Sequence, residues 1–172
     1  QFNTTTSMGR LMLNVLLSFA QFEREVTGER IRDKIAASKK KGLWMGGNVP
    51  LGYEAKARSL VINESEAETV RTLFRLYQET GSVRAVKAAA EQLGLRTKVR
   101  AGPDGRPRGG TAFSRGHIYR ILGNPIYIGR IAHKGQTYPG THAPIIGPET
   151  WQAVQQRLAD NVNGHRTRAN AD

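Results

Sequence analysis

Seven serines, four histidines and no cysteine bound the covalent and metal chemistry open to this sequence. A nucleophilic serine needs a base within hydrogen-bond reach or a strained glycine elbow, and none of the seven stands in such a setting. Ser7 and Ser114 each precede a helical run, where a hydroxyl serves as an N-cap. His117, His133, His142 and His165 lack the close pairing that puts two imidazoles on one helix face. Without cysteine there is no thiolate zinc site and no disulfide. Glu23 and Glu25 point to different faces of a helix, so ion pairing with Arg24, Arg30 or Lys34 is expected of them rather than acid/base work. The residues therefore predict no catalytic group, no metal site and no cofactor.

The chemistry that remains is cationic. Lys and Arg number 26 against 14 Asp and Glu, a formal charge of +12 on 172 residues, which points to a polyanionic partner. The charge is also placed. From Thr80 to Lys134 there are eleven basic side chains against Glu91 and Asp104, while the last 38 residues carry three of each sign. The segment RTKVRAGPDGRPRGGT, Arg96 to Thr111, holds five of the basic residues, Arg106 and Arg108 among them, with six glycines and prolines. Pro-Asp-Gly is a turn signal, and the expectation is a mobile loop or a flared hairpin.

The elements that position these cations follow from periodicity. Ser7 to Lys41 contains no proline and reads as one helix, about 50 Å long, ending in Lys39, Lys40 and Lys41. Met8, Met12, Val15, Phe19, Phe22 and Val26 form an apolar seam that wants a partner. Asn14, Ser18 and Gln21 break the leucine-rich stretch, which is too short to span a bilayer, and no secretory cleavage site follows it. Gly42, Gly46, Gly47, Pro50 and Gly52 then mark a linker. Trp44 inside it has two readings: it tucks back onto the domain, or the extended segment follows a DNA groove, with Gly46 and Gly47 allowing close approach and the lysines meeting phosphates.

Tyr53–Ala55 and Leu60–Ile62 suggest a hairpin. Asn63 with Glu66 caps a helix whose inner face is Ala67, Val70, Phe74 and Tyr77, stopped by Gly81. A second helix starts at Ser82, buries Val83, Val86, Ala90 and Leu93, and ends at Gly94; the corner between the two resembles the start of a helix-turn-helix. Ser114 caps a short helix to Leu122, stopped by Asn124-Pro125. Its buried side is Ile118, Ile121 and Leu122, with Gly116 and Arg120 opposite, His117 and Tyr119 on the flanks and Arg115 at its start. Ile126–Ala132 and Ala143–Ile146 read as strands, and Pro148 opens a last helix with Trp151, Val154 and Leu158 inward. After Asp160 no apolar period remains, which predicts a disordered tail over residues 162–172. The fold class expected is α+β, mainly helical: a long N-terminal helix followed by a small helix-turn-helix-like domain with short β strands.

Thr-Thr-Ser-Met-Gly before the apolar run, Phe-Glu-Arg-Glu in its middle and Gly-x-x-Pro-x-Gly-Tyr after the lysines resemble the serine site-specific recombinases of the resolvase/invertase family. The later PIYIGRI and GPETWQAVQQRL resemble the DNA-binding "recombinase" domain of its large members. The resemblance implies residues 1–41 as the end of a catalytic domain and its long helix, 42–52 as linker and 53–161 as the DNA-binding domain. It implies a fragment lacking the family's nucleophilic serine and its zinc-bearing domain, inactive alone, whose intact form cuts and rejoins DNA within a tetramer. Its partners would be double-stranded DNA and, through the long helix, further copies of itself, with no membrane and a cytoplasmic setting. Arg24 becomes a candidate phosphate contact, since this part of the family's helix takes part in dimer contacts and DNA approach. The expected DNA-binding set is Arg24, Lys39, Lys40, Lys41, Trp44, Gly46, Gly47, Arg106, Arg108, Arg115, Gly116, His117, Tyr119 and Arg120. The alternative is a stand-alone DNA-binding regulatory module without strand-breakage chemistry.

Overall fold

A computed structural model describes the backbone of residues 6–169 and the side chains of residues 6–161. The chain divides into two units, Gln1–Ser38 and Lys39–Asp172. Almost all of the first is helix α1, Ser7–Lys40. Its cap is Thr6 rather than Ser7: the Thr6 hydroxyl accepts the Gly9 N–H at 3.1 Å. An N-cap oxygen must reach an amide two or three residues on, so one position decides the role, and Ser7 becomes the first helical residue. No residue of α1 is buried, and Met8, Phe19 and Phe22 are 70%, 66% and 62% exposed. The expected acidic pairs do not form among the described residues. Glu25 instead accepts from the Gln21 amide at 2.9 Å, one turn earlier.

In the second unit, β1 (Tyr53–Lys56) and β2 (Ser59–Ile62) pair antiparallel as the expected hairpin, with Tyr53 opposite Ile62. Helix α2 (Glu64–Thr80) is capped by Asn63, whose side chain accepts the Glu66 N–H, and closed by Gly81 in the left-handed region. Helix α3 (Val83–Gln92) starts at the Ser82 cap. Leu93 is its C-cap and is exposed, against the expectation that it faces inward, because the chain leaves the helical path there. Strands β3 (Arg100–Ala101) and β4 (Pro107–Arg108) make the basic segment a hairpin around the predicted Pro-Asp-Gly turn. Helix α4 (Arg115–Leu122) begins at Ser114, whose hydroxyl accepts the His117 N–H at 3.2 Å.

Between α4 and the last helix the strand prediction needs correction. Ile126 and Tyr127 lie in a 3₁₀ turn, Pro125–Ile128, which Asn124 caps and Gly129 ends at φ +74°. Strand β5 is Arg130–His133, and its partner β6 is Gln136–Pro139; Ala143–Ile146 is not a strand. Lys134 and Gly135 both have positive φ, so the hairpin closes at that pair and takes the nearer segment as its partner. Helix α5 runs Pro148–Ala169, past the point where a disordered tail was expected. Extending a nucleated helix adds one hydrogen bond per residue fixed, so the run needs no apolar face to continue. Residues 170–172 of that expected tail lie outside the described residues.

Helices α2, α3, α4 and α5 close over a core that Tyr53, Phe74, Tyr77 and Tyr127 fill. Tyr53 stacks on Tyr127 at 6.1 Å between ring centroids, and Phe74 meets Tyr127 edge-on at 6.2 Å. Each large side chain so buried contributes about 1.5–3 kcal/mol. The Tyr53 hydroxyl is shared between the carbonyls of Ala143, 2.9 Å, and Ile126, 3.2 Å, and burial pushes its pKa up to about 12.

Candidate nucleic-acid interface

The segment joining α1 to β1 is held to the second unit along its length. Gly42 sits at φ +75° where a Cβ would collide with the Pro139 carbonyl, and its own carbonyl accepts from the Thr141 N–H at 3.0 Å and hydroxyl at 3.2 Å. The Trp44 N–H donates to the Arg58 carbonyl at 2.7 Å, and its half-buried indole packs on the core together with Val49. Trp44 thus follows the first of its two readings, tucking back onto the domain. Gly46 and Gly47 are exposed, with open space where a side chain would be.

Two basic side chains of the hairpin hold this segment in place. Lys98 Nζ donates to Glu66 Oε2 at 2.5 Å and to the Tyr53 carbonyl at 2.9 Å, while Glu66 accepts the Gly52 N–H at 3.0 Å. Arg100 donates through one terminal nitrogen to the Val49 carbonyl at 2.8 Å. Its Nε is covered from solvent and has no hydrogen-bond partner. The Lys98 ammonium is therefore already bonded within the fold, although Lys98 also contributes to the lining of the groove beside Arg100.

Beside Arg100 lies a groove of about 600 Å³. Asn48, Pro50 and Leu51 contribute to one part of its lining, Arg100 and Arg108 come from the hairpin, and His117, Arg120 and Asn124 come from α4 and its end. Arg108, His117 and Arg120 of the expected set are so brought together. No carboxylate lines the groove; Asp104 approaches Arg108 at 3.6 Å. His117 is half-buried, its ring edge-on to Phe113 at 6.1 Å. Burial first, then the charges of Arg120 and Arg100, hold its pKa below the ordinary imidazole value.

Other expected residues lie elsewhere. Arg115 borders a depression with Arg84, Lys87 and Glu91, in which Lys87 is already paired with Glu91 at 2.9 Å. Gly116 and Tyr119 are exposed on α4, and a Cβ at Gly116 would meet nothing, so that face is open. Arg106 is exposed near the hairpin tip. Lys39 and Lys40, with Lys134, surround His133: cover over its Nε2 and these three ammonium groups hold its pKa down. Lys41 is exposed, and Arg24 is exposed on α1 in the other unit. No group of His, Asp or Glu suited to a metal occurs among the described residues, and the His165 side chain lies outside them.

Arg100 was missed by sequence reasoning. Its signal was present: Lys98 and Arg100 are two apart in an extended stretch, which puts both side chains on one face of the hairpin.

Comparison with known proteins adds the family. Residues 64–161, more than half of the chain, match the model of the Recombinase family. The chain belongs to that family. Residues 1–44 match the model described as Resolvase, N terminal domain, so the resemblance to serine recombinases holds at both ends of the chain. Among solved structures, that of an LSR-DNA complex is similar with a TM-score of 0.62 at 24% identity, covering 76% of this chain and 38% of the other. A second, from work on sequence requirements of the Listeria innocua prophage attP site, gives 0.63 at 22% identity, covering 76% and 51%. This recombinase chain thus spans about half or less of the length of those chains. No relative was found among curated proteins. No helix among the described residues is long and apolar enough to cross a membrane.

Proposed function

We propose that this chain is the site-recognising, DNA-binding part of a serine site-specific recombinase whose intact form breaks and rejoins DNA strands. The observation that carries the reading is the acid-free groove where Arg100, Arg108, His117 and Arg120 converge beside the open face of α4. In this reading α4 enters the major groove. Arg120 reads base edges, and Gly116, one turn earlier, lets the helix approach closely. Arg115 meets phosphate at the helix start, Arg106 and Arg108 flank the duplex, and Gly46, Gly47 and Lys39–Lys41 follow the backbone. Arg24 is a phosphate contact, and α1 carries the contacts between copies in a cytoplasmic assembly. The match of residues 1–44 to a resolvase domain favours this over a stand-alone regulator.

A bidentate arginine–guanine contact contributes roughly 1–3 kcal/mol of discrimination, whereas a phosphate contact weakens all sequences alike. The test is selection of preferred sites from a pool of random duplexes by the wild type, Arg120→Ala and Arg115→Ala, followed by titration on selected and scrambled duplexes. Arg120→Ala should blur the selected motif at one or two positions, and Arg115→Ala should keep the motif and lower affinity for both. An unchanged ratio of selected to scrambled binding in Arg120→Ala would move the reading surface to Arg106 and Arg108.

A further inference from the structure

We infer that the groove between residues 48–51, the β3–β4 hairpin and α4 is a phosphodiester-binding site, with Arg100 as its central ligand. The inference rests on the DNA-binding reading above and names the moiety and the residue.

Three observations carry it. First, Arg100 is held at one end and unsatisfied at the other. One terminal nitrogen donates to the Val49 carbonyl, while Nε is covered from solvent without a partner. A guanidinium presents its donors in a rigid fork, so fixing one end aims the rest. Because Nε is itself covered, the donors an oxygen anion in the groove would meet are the remaining terminal N–H groups, which the bond to Val49 orients. Second, the surroundings select for an anion. Arg108, Arg120 and His117 line the same groove, with Asn48 and Asn124 as amide donors and no carboxylate. Arg–phosphate pairs are among the strong, geometrically specific hydrogen bonds. Third, the groove is extended rather than a closed pocket for a small ion. Its lining runs from the segment that follows α1 to the base of α4. A strand of DNA backbone, which must pass such a helix when the helix sits in the major groove, has the shape and charge to lie there.

Arg100 also ties the two flanks together. Its bond to Val49 fixes the 42–52 segment against the hairpin, so a phosphate held by Arg100 would fix the register between that segment and the neighbouring reading helix, leaving Arg120 to the bases. Arg75, exposed on α2, is neither in the groove lining nor in the expected DNA-binding set and serves as the control.

The experiment uses this chain and a random-sequence duplex of about three helical turns, titrated at several salt concentrations. Its variants are Arg100→Gln, Arg100→Lys and Arg75→Gln. Each phosphate contact contributes about 0.9 to the slope of log affinity against log salt. Arg100→Gln should lower affinity roughly tenfold or more and reduce the slope by about that one contact. Arg100→Lys keeps the charge and loses the fork, so a clear loss of affinity with the charge unchanged is expected. In parallel, the Nε–H resonance of Arg100, identified by its absence in Arg100→Lys, should shift on addition of the duplex to the folded wild type. The shift itself is read on the folded wild type. An Nε–H resonance that does not move while the duplex binds would overturn the inference, as would Arg100→Lys binding like the wild type or Arg100→Gln losing no more than Arg75→Gln. In those cases DNA binding itself survives. A wild type that binds no duplex at low salt sinks the DNA-binding reading and this site with it.

Discussion

Lys98 offers a sharp separation of a cation that binds from a cation that braces. Lys98→Met removes the ammonium that joins Glu66 to the Tyr53 carbonyl and leaves the Glu66 carboxylate with the Gly52 N–H as its remaining bond. Removing one partner of a fully buried ion pair costs about 3–5 kcal/mol, and an exposed pair contributes about 0–1 kcal/mol. The side chains here are 12% and 23% exposed, close to the buried limit but open to some solvent, which places the loss at about 2–3 kcal/mol. The internal reference is Lys87–Glu91, whose side chains are 37% and 45% exposed. Lys87→Met should therefore cost about 0.5 kcal/mol or less. Urea unfolding followed by tryptophan fluorescence measures both, since Trp44 and Trp151 pack against the core. With a slope of roughly 2 kcal/mol/M, the Lys98→Met midpoint should fall by about 1–1.5 M. In the same variant, where still folded, the slope of DNA affinity against salt should match the wild type, because the Lys98 ammonium is already held by Glu66 and the Tyr53 carbonyl. A Lys98→Met midpoint within error of that of Lys87→Met would refute the bracing role. A salt slope reduced by about one contact would return Lys98 to the binding surface.

Three further outcomes are expected. Ala57 and Arg58 turn the first hairpin at φ 46° and 64°, a conformation that asparagine and glycine adopt with less strain, so Ala57→Asn with Arg58→Gly should raise stability by about 1 kcal/mol in the same urea assay; a lower midpoint would count against it. His117 is held below the ordinary value of 6.5, so the native state binds fewer protons than the unfolded chain just below that pH. The stability contributed by neutral His117 is thus complete above 6.5 and is lost as pH falls through the native value. His117→Gln should flatten the acid side of the stability profile, and an unchanged profile would rule out that linkage. Finally, the exposed apolar face of α1 should make the chain self-associate, and deletion of residues 1–22 should leave a monomer by sedimentation; two monomers would refute it.

Much of the local structure could be read from neighbours three or four positions apart. Helices α2 and α4 carry their caps and buried faces in sequence, Asn63 before Ala67, Val70 and Phe74, and Ser114 before Ile118, Ile121 and Leu122. Periodicity and cap chemistry act over one turn, so they survive without knowledge of the fold. The same reasoning misplaced the stretch after α4, where PIYIGRIA has strand-like residues but Asn124, Pro125 and Gly129 close a 3₁₀ turn first. The candidate site was legible only in part. Its α4 residues were named from the helical wheel, yet their meeting with Arg100, and the pairing of Lys98 with Glu66, depend on partners far away in sequence. Lys98 reaches Glu66 across 32 residues and Arg100 reaches Val49 across 51. A lysine and an arginine two places apart look alike to any local rule. Both line the groove; which of them is bonded to Glu66 and which to Val49 follows from where α2 and the 42–52 segment come to lie, and tertiary packing alone decides that.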